Sequence, residues 1–417
     1  MLALLALSCG ARTDLDVPPP APPPECTLDD TIPTIPPCAA LELGEPVNLS
    51  ESLRPGGAHV GQHAASPHRG GAAVAYQISL LRRDAPATDV ELRVLALDAE
   101  ARAQDGPQVI LAEHVPAMGM GSFVYSAGVP SVSGGCEVHA LGSLRIREIS
   151  ETARLAIAGD SGLELVEVEG WVWDLRRDGE VISWLGFPGS SLELVFADRE
   201  GRILRRAPLE PSGGDLAFPD VSRHALEDGT FVLPMELEGS TGPFTELAHH
   251  DESGAHLGNH PLTPATVGHT ALAWREGERW LFWSERDRRD GARAPRSLHA
   301  APLADDGTLG PALAFELDGL DGMGRFTPAW IGGWWIIPTV DRETDTSHLG
   351  VFDEEGDQHA RLPLGGGVPH TAILPHTAHV VLTPAGAIVT YDEARVGDAG
   401  SIPDFLLRAR TVRCIAP

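Results

Sequence analysis

An apolar strand, an acidic turn containing glycine and a second apolar strand recur about every fifty residues along this chain. The copies read LELVFADREGRILRRAPLE (192–210), FTELAHHDESGAHLGNHPL (244–262), SLHAAPLADDGTLGPALAFEL (297–317) and SHLGVFDEEGDQHARLPL (347–364). Their turn aspartates, Asp198, Asp251, Asp305 and Asp353, are spaced by 53, 54 and 48 residues. Aspartate bonds to nearby backbone amides in tight turns, and glycine supplies the left-handed backbone that such turns need. A repeat of this length made only of short strands predicts an all-β fold, a β-propeller.

The period extends both ways. LRVLALDAEARAQDGPQVIL (92–111) carries Asp98, two periods before Asp198, and the strand-rich segment 143–175 fills the gap. One period past Asp353 lies FLLRARTVRCI (405–415). Turn positions near 98, 148, 198, 251, 305, 353 and 405 predict seven blades of four antiparallel strands over residues 39–417, with six or eight as the alternatives. In the copy at 267–317 the four strands are expected at His269–Trp274, Arg279–Glu285, Ser297–Leu303 and Pro311–Leu317. A pair of β-sandwich domains explains the alternation but not so uniform a period. No long stretch has the spacing of an amphipathic helix, and 46 glycines with 35 prolines fit many turns.

The formal net charge of −28, with 31 arginines and no lysine, argues against a nucleic-acid partner, which needs a cationic surface. No run of about 18–20 apolar residues offers a transmembrane helix. At the N-terminus, Met1 to Ser8 is a short apolar run ending at Cys9-Gly10. Nine of the twenty residues from 18 to 37 are proline, which favours an extended polyproline spacer over a packed core. The expected layout is therefore a signal segment at 1–9, a tether at 10–38 and a propeller at 39–417.

Cys9 in this setting resembles the lipidated cysteine of bacterial lipoproteins, although the run lacks a basic start and has Leu at the second and fourth positions before the cysteine. Taken whole, the chain resembles repeat-type bacterial β-propeller lipoproteins through period and turn chemistry. The resemblance implies export, a lipid anchor in the outer membrane and no particular catalytic residue. The rival reading of the apolar run is a truncated ordinary signal peptide.

Four further cysteines, Cys26, Cys38, Cys136 and Cys414, make an even number for an exported chain. Cys38 and Cys414 flank the first and last strands, so a bond between them would lock the ring. The alternative pairs Cys26 with Cys38 and Cys136 with Cys414.

Seventeen histidines are the main candidates for chemistry. His63, His68, His139, His224, His269, His370, His376 and His379 lie before or within the first strand of a repeat, the strand that lines a propeller axis. His68, His224, His269 and His370 are the candidate ligands of a divalent metal held between blades. The alternative is that such histidines hydrogen-bond the backbone of the neighbouring blade. The copy before Trp330 reads GRFTPAW, with Phe in place of His. A second group, His249, His250, His256 and His260, is expected on a solvated rim.

Gly159-Asp160-Ser161-Gly162 resembles a serine-protease nucleophile motif but continues with Leu163, and a hairpin turn is the expectation. The turns also lack the serine and tryptophan of sialidase Asp-boxes. Trp330, Trp334 and Trp335 are dense enough for one to stack on a sugar. The leading functional expectation is a non-catalytic, surface-tethered binding or scaffold protein with a protein or glycan ligand. The alternative is an exported metal-dependent hydrolase or lyase.

Overall fold

The computed structural model describes residues 35–50, 58–80, 87–116, 131–133, 139–144, 152–159, 162–169, 172–178, 181–186, 192–198, 202–209, 223–226, 229–239, 242–286, 296–317, 320–322, 325–341, 346–365, 377–395 and 404–417. Cys9, Cys26, Cys136, His370 and His376 lie outside these residues, as do the expected signal segment and nearly all of the tether. Among the described residues the regular structure is entirely β.

The strands form six sheets arranged as a β-propeller. The second sheet holds Ser131–Ser133, His139–Leu144, Thr152–Gly159 and Gly162–Glu169. The third holds Val172–Asp178, Val181–Gly186, Glu193–Asp198 and Ile203–Pro208, and the fourth His224–Ala225, Phe231–Gly239, Gly242–His250 and His256–Thr263. The fifth holds Thr266–Arg275, Glu278–Arg286, Arg296–Pro302 and Leu313–Phe315. These follow the four strands expected at 267–317 to within a few residues. The sixth is built on Leu320–Gly322, Trp334–Asp341, Ser347–Phe352 and Gln358–Gly365, with Ala329–Ile331 added.

The expected seven blades are corrected here to six sheets. Turn counting separates the copies near Asp98 and near 405, but the structure joins them. Ala58–His68, Gly71–Leu80, Ala87–Leu97 and Gln108–Pro116 share one ten-stranded sheet with Thr377–Thr383, Gly386–Arg395 and Asp404–Ile415. The junction is a parallel bridge between His59 and Phe405. Periodicity in sequence reports turns; it is blind to which strand edges bond.

The fifth sheet is buried on both faces, which is why its second strand reads as a nearly continuous apolar run. In Glu278–Arg286, side chains alternate by residue. Trp280 and Phe282 meet Trp335 of the sixth sheet at ring distances of 5.5 and 4.9 Å. Leu281 faces the other way, clustering with Val232 and Leu247 of the fourth sheet. Full burial of such side chains contributes about 1.5–3 kcal/mol each. Truncating Phe282 to Ala would remove about 3–5 kcal/mol, since the close-packed neighbours cannot fill the gap.

The acidic turns work as expected at four sites. Asp98, Asp198, Asp251 and Asp353 each accept, on Oδ1, the backbone N–H four residues ahead, at 2.8 Å. Gly254 and Gly356 supply positive φ of 80° and 88°. The turn at 305 departs by one position. Ala304 makes the backbone bonds that Asp251 and Asp353 make elsewhere, leaving Asp305 to pair with Arg279 at 3.0 Å.

The ring is fastened at its chain ends. Ala40–Leu43 pairs antiparallel with Val412 to Ile415 on the outer side of the last strand. Cys38 and Cys414 are disulfide-bonded with their Cα atoms 5.3 Å apart. Of the two pairings left open by the sequence, the ring-locking one is present. Pro36 to Cys38 also lies over the neighbouring sixth sheet: Cys38 N–H donates to Gly332 O at 2.9 Å, and Trp334 Nε1 donates to Cys38 O at 3.2 Å.

Candidate functional site

Six strands bring polar side chains into a collar where neighbouring sheets meet. They are Ala58–His68, Val172–Asp178, His224–Ala225, Thr266–Arg275, Arg325–Thr327 and Thr377–Thr383.

Adjacent strands are tied to one another through this collar. His379 Nε2 donates to His63 O at 2.9 Å, which fixes its tautomer, and Nδ1 accepts from the Thr327 hydroxyl at 2.7 Å. His269 Nε2 donates to Phe326 O at 3.1 Å. His224 Nε2 lies 2.8 Å from Thr270 Oγ1. The position where the repeat carries Phe instead of His thus supplies the backbone acceptor for a neighbouring histidine. These contacts match the structural alternative raised from sequence, histidines stitching one blade to the next.

His224 and His269 are therefore brought to neighbouring strands, each with a ring nitrogen committed to the next strand. His68 is placed elsewhere: it ends its strand at the Arg69-Gly70 hairpin, opposite Gly71. Among the described residues no three histidine, cysteine or carboxylate side chains group to hold a metal ion. The His249 and His250 pair is buried rather than solvated. His249 Nε2 bonds Thr230 at 2.8 Å, and His250 Nδ1 lies 3.3 Å from Gly254 O.

Two features of the collar stand out. The first is His63, one of the first-strand histidines, fully buried with its ring edge-on to His379 at 4.9 Å. Burial holds its pKa well below the ordinary histidine value. The neighbouring His379 adds to this, and the Thr390 backbone opposes it. Burial likewise pushes His224 down to about 3, helped by the charge of Arg176 and resisted by Asp174.

The second feature is an ion cluster at the junction of the third and fourth sheets. Asp174 sits in a bulge of its strand with φ of 45°, a left-handed conformation that non-glycine residues rarely adopt. Arg223, immediately before His224, reaches across the junction. Its Nε donates to Asp174 Oδ2 at 2.7 Å, Nη2 to Asp174 O at 2.7 Å and Nη1 to Ser183 Oγ at 3.0 Å. Its backbone N–H donates to Asp174 Oδ2 at 3.0 Å. Arg176 approaches the same carboxylate through Nε at 3.2 Å. Burial pushes Arg223 down to about 10 against the pull of Asp174. For Asp174 burial works upward, but the two guanidiniums outweigh it and hold the carboxyl below its usual range. His224 is the sequence candidate on this segment; the arginine before it makes the charged contact, to a partner 49 residues away.

Gly159 pairs with Gly162 across adjacent strands, as expected of a two-residue hairpin rather than a protease motif. Trp334 is engaged by Cys38 O and by the ring of His359 at 4.9 Å, and Arg275 lies over Trp330 at 4.5 Å.

No protein-family model matches the chain, and no curated protein matches it. Among solved structures it is similar to a protein of unknown function from Dyadobacter fermentans DSM 18053, at 10% identity and a TM-score of 0.47, covering 90% of this chain and 100% of that one. It is also similar to a puromycin hydrolase, at 14% identity and a TM-score of 0.47, covering 91% of this chain and 56% of the hydrolase. A third likeness, to the β-xylosidase RS223, has 10% identity and a TM-score of 0.32, covering 56% of this chain and 89% of that one. At such distances no activity, substrate or residue role passes from these proteins to this chain.

Proposed function

We propose that this chain is a non-catalytic binding or scaffold protein that presents a propeller face to its ligand. The observation that carries the reading is the use made of the axial histidines. Both ring nitrogens of His379, and Nε2 of His224 and of His269, are spent on contacts with neighbouring strands. His379 thus has no nitrogen left for a metal, and His224 and His269 each commit one nitrogen to holding neighbouring strands in register.

The setting proposed is the cell exterior. The disulfide between Cys38 and Cys414 suits an oxidising compartment. A lipid on Cys9 and a proline-rich tether would hold the propeller at the outer membrane, with a protein or glycan as ligand.

Metal content of the full-length protein by mass spectrometry, with and without chelator, tests the reading. Substoichiometric metal and an unchanged melting temperature on chelation are expected. One tightly held transition metal per chain, with a lower melting temperature after its removal, would replace the scaffold reading with the metal-dependent one. Loss of membrane association in Cys9→Ala tests the anchor separately.

A further inference from the structure

We propose that Arg176, held beside Asp174 and Arg223 at the junction of the third and fourth sheets, anchors a binding site for a carboxylate-bearing small molecule. The proposal deepens the binding reading above and rests on it.

The charge count at this junction is the starting point. Asp174 contributes one negative charge, Arg176 and Arg223 one positive charge each, and His224 beside them is neutral at physiological pH. Among the described residues the cluster therefore carries one unbalanced positive charge, in a chain whose formal charge is −28.

The two arginines use Asp174 differently. Arg223 is nearly inaccessible, with a side-chain exposure of 5%, and its guanidinium bonds Asp174 and Ser183 through all three nitrogens. Arg176 keeps 36% of its side chain exposed and, among the described residues, contacts Asp174 through Nε alone. Its Nη1 and Nη2 edge meets no partner among those residues. That edge is a planar pair of parallel donors, the shape that matches the two oxygens of a carboxylate.

The backbone fixes this arrangement. The bulge between Trp173 and Arg176 re-aims the strand, and the left-handed φ of Asp174 is maintained by the bonds it accepts from Arg223. That conformation is one that non-glycine residues rarely adopt. The consequence is a cation whose position is set before a ligand arrives, which lowers the ordering cost of binding.

A monoanion is favoured over a polyanion. One net positive charge balances one carboxylate, whereas the acidic exterior repels ligands of higher negative charge. The neutral ring of His224 next to Arg176 adds no second cation for a dianion.

The test uses the full-length protein and benzoate as probe, with chloride and phosphate as controls at constant ionic strength. Phenylglyoxal labels accessible arginines, and mass spectrometry reads each site. Benzoate should slow labelling of Arg176 saturably and leave surface arginines such as Arg205 unchanged. Arg176→Gln should weaken benzoate binding, read by calorimetry, about 10- to 100-fold. Arg176→Lys, which keeps the charge but loses the fork, should recover only part of that loss.

Labelling of Arg176 that benzoate slows no more than chloride does would overturn the proposal. So would phosphate protecting better than benzoate, since that assigns the site to another oxyanion. The labelling experiment needs no variant, so a poorly folding Arg176→Gln would not obscure the answer. The two readings also fail separately. Unprotected Arg176 leaves a scaffold without this ligand, whereas a stoichiometric metal removes the non-catalytic reading whatever Arg176 does.

Discussion

Two junctions in this ring hold neighbouring strand groups together by opposite means. At the closure, the first residues of the propeller lie along the last strand, and Cys38 is bonded to Cys414. At the junction of the third and fourth sheets, Arg223 crosses to Asp174 and Ser183 with no covalent link among the described residues. The closure draws its stability mainly from restricting the unfolded chain. The ion cluster acts only in the folded state, where each charge has been taken out of water and depends on the other. One junction is insensitive to protonation and the other is tuned by it.

The comparison can be broken most severely at the closure. Replacing both Cys38 and Cys414 by Ser should destabilise the protein by up to about 5–6 kcal/mol, because the bond closes nearly the whole chain into a loop. Denaturant unfolding with and without reductant measures this. The wild type under reductant should match the double variant, and a gap between the two would show that the thiols themselves carry weight.

Next in size is the ion cluster. Arg223→Met leaves Asp174 buried without its main partner and should cost about 3–5 kcal/mol. Adding Asp174→Asn should restore part of that loss, since the stranded charge is then gone. A double variant no more stable than Arg223→Met would show that packing rather than charge carries the junction.

Smaller still is the effect of acid. His224 is held to about 3 in the folded protein and titrates near 6.5 when unfolded, so the unfolded chain takes up its proton first. Its contribution is fully present above about pH 6.5 and is lost as pH falls toward 3, by at most about 1.4 kcal/mol per pH unit. His63 and His250, also held low, add in the same direction. Stability measured from pH 7 to pH 5 should fall, and His224→Gln should flatten the slope by about one proton's worth. An unchanged slope in that variant would place the acid sensitivity elsewhere.

The parts of this molecule that were legible in its sequence are those fixed by neighbours along the chain. Asp251 and Asp353 mark turns because their carboxylates bond amides four residues ahead. The run from Trp280 to Trp283 marks a strand covered on both faces. Cys38 and Cys414 could be paired because ring closure brings the chain ends together. The features that escaped notice depend on which strands meet. Arg223 and Asp174 share no local pattern, and the left-handed backbone at Asp174 carries no glycine to announce it. Asp305 looked like its counterparts, yet a one-residue offset gave its place to Ala304. The same limit explains the blade count, since the His59 and Phe405 bridge is a matter of edges rather than of period.

The position of the disulfide also has a mechanical consequence. Ala40–Leu43 is an outer strand, and a pull on the chain before it would ordinarily peel it away one hydrogen bond at a time. Cys38 precedes that strand and is bonded to Cys414, whose own strand is paired along its length with Gly386–Arg395. Tension arriving from the N-terminal side therefore bypasses the first strand and passes into the interior of the last sheet, so the protein can be held by that end without being unzipped from it.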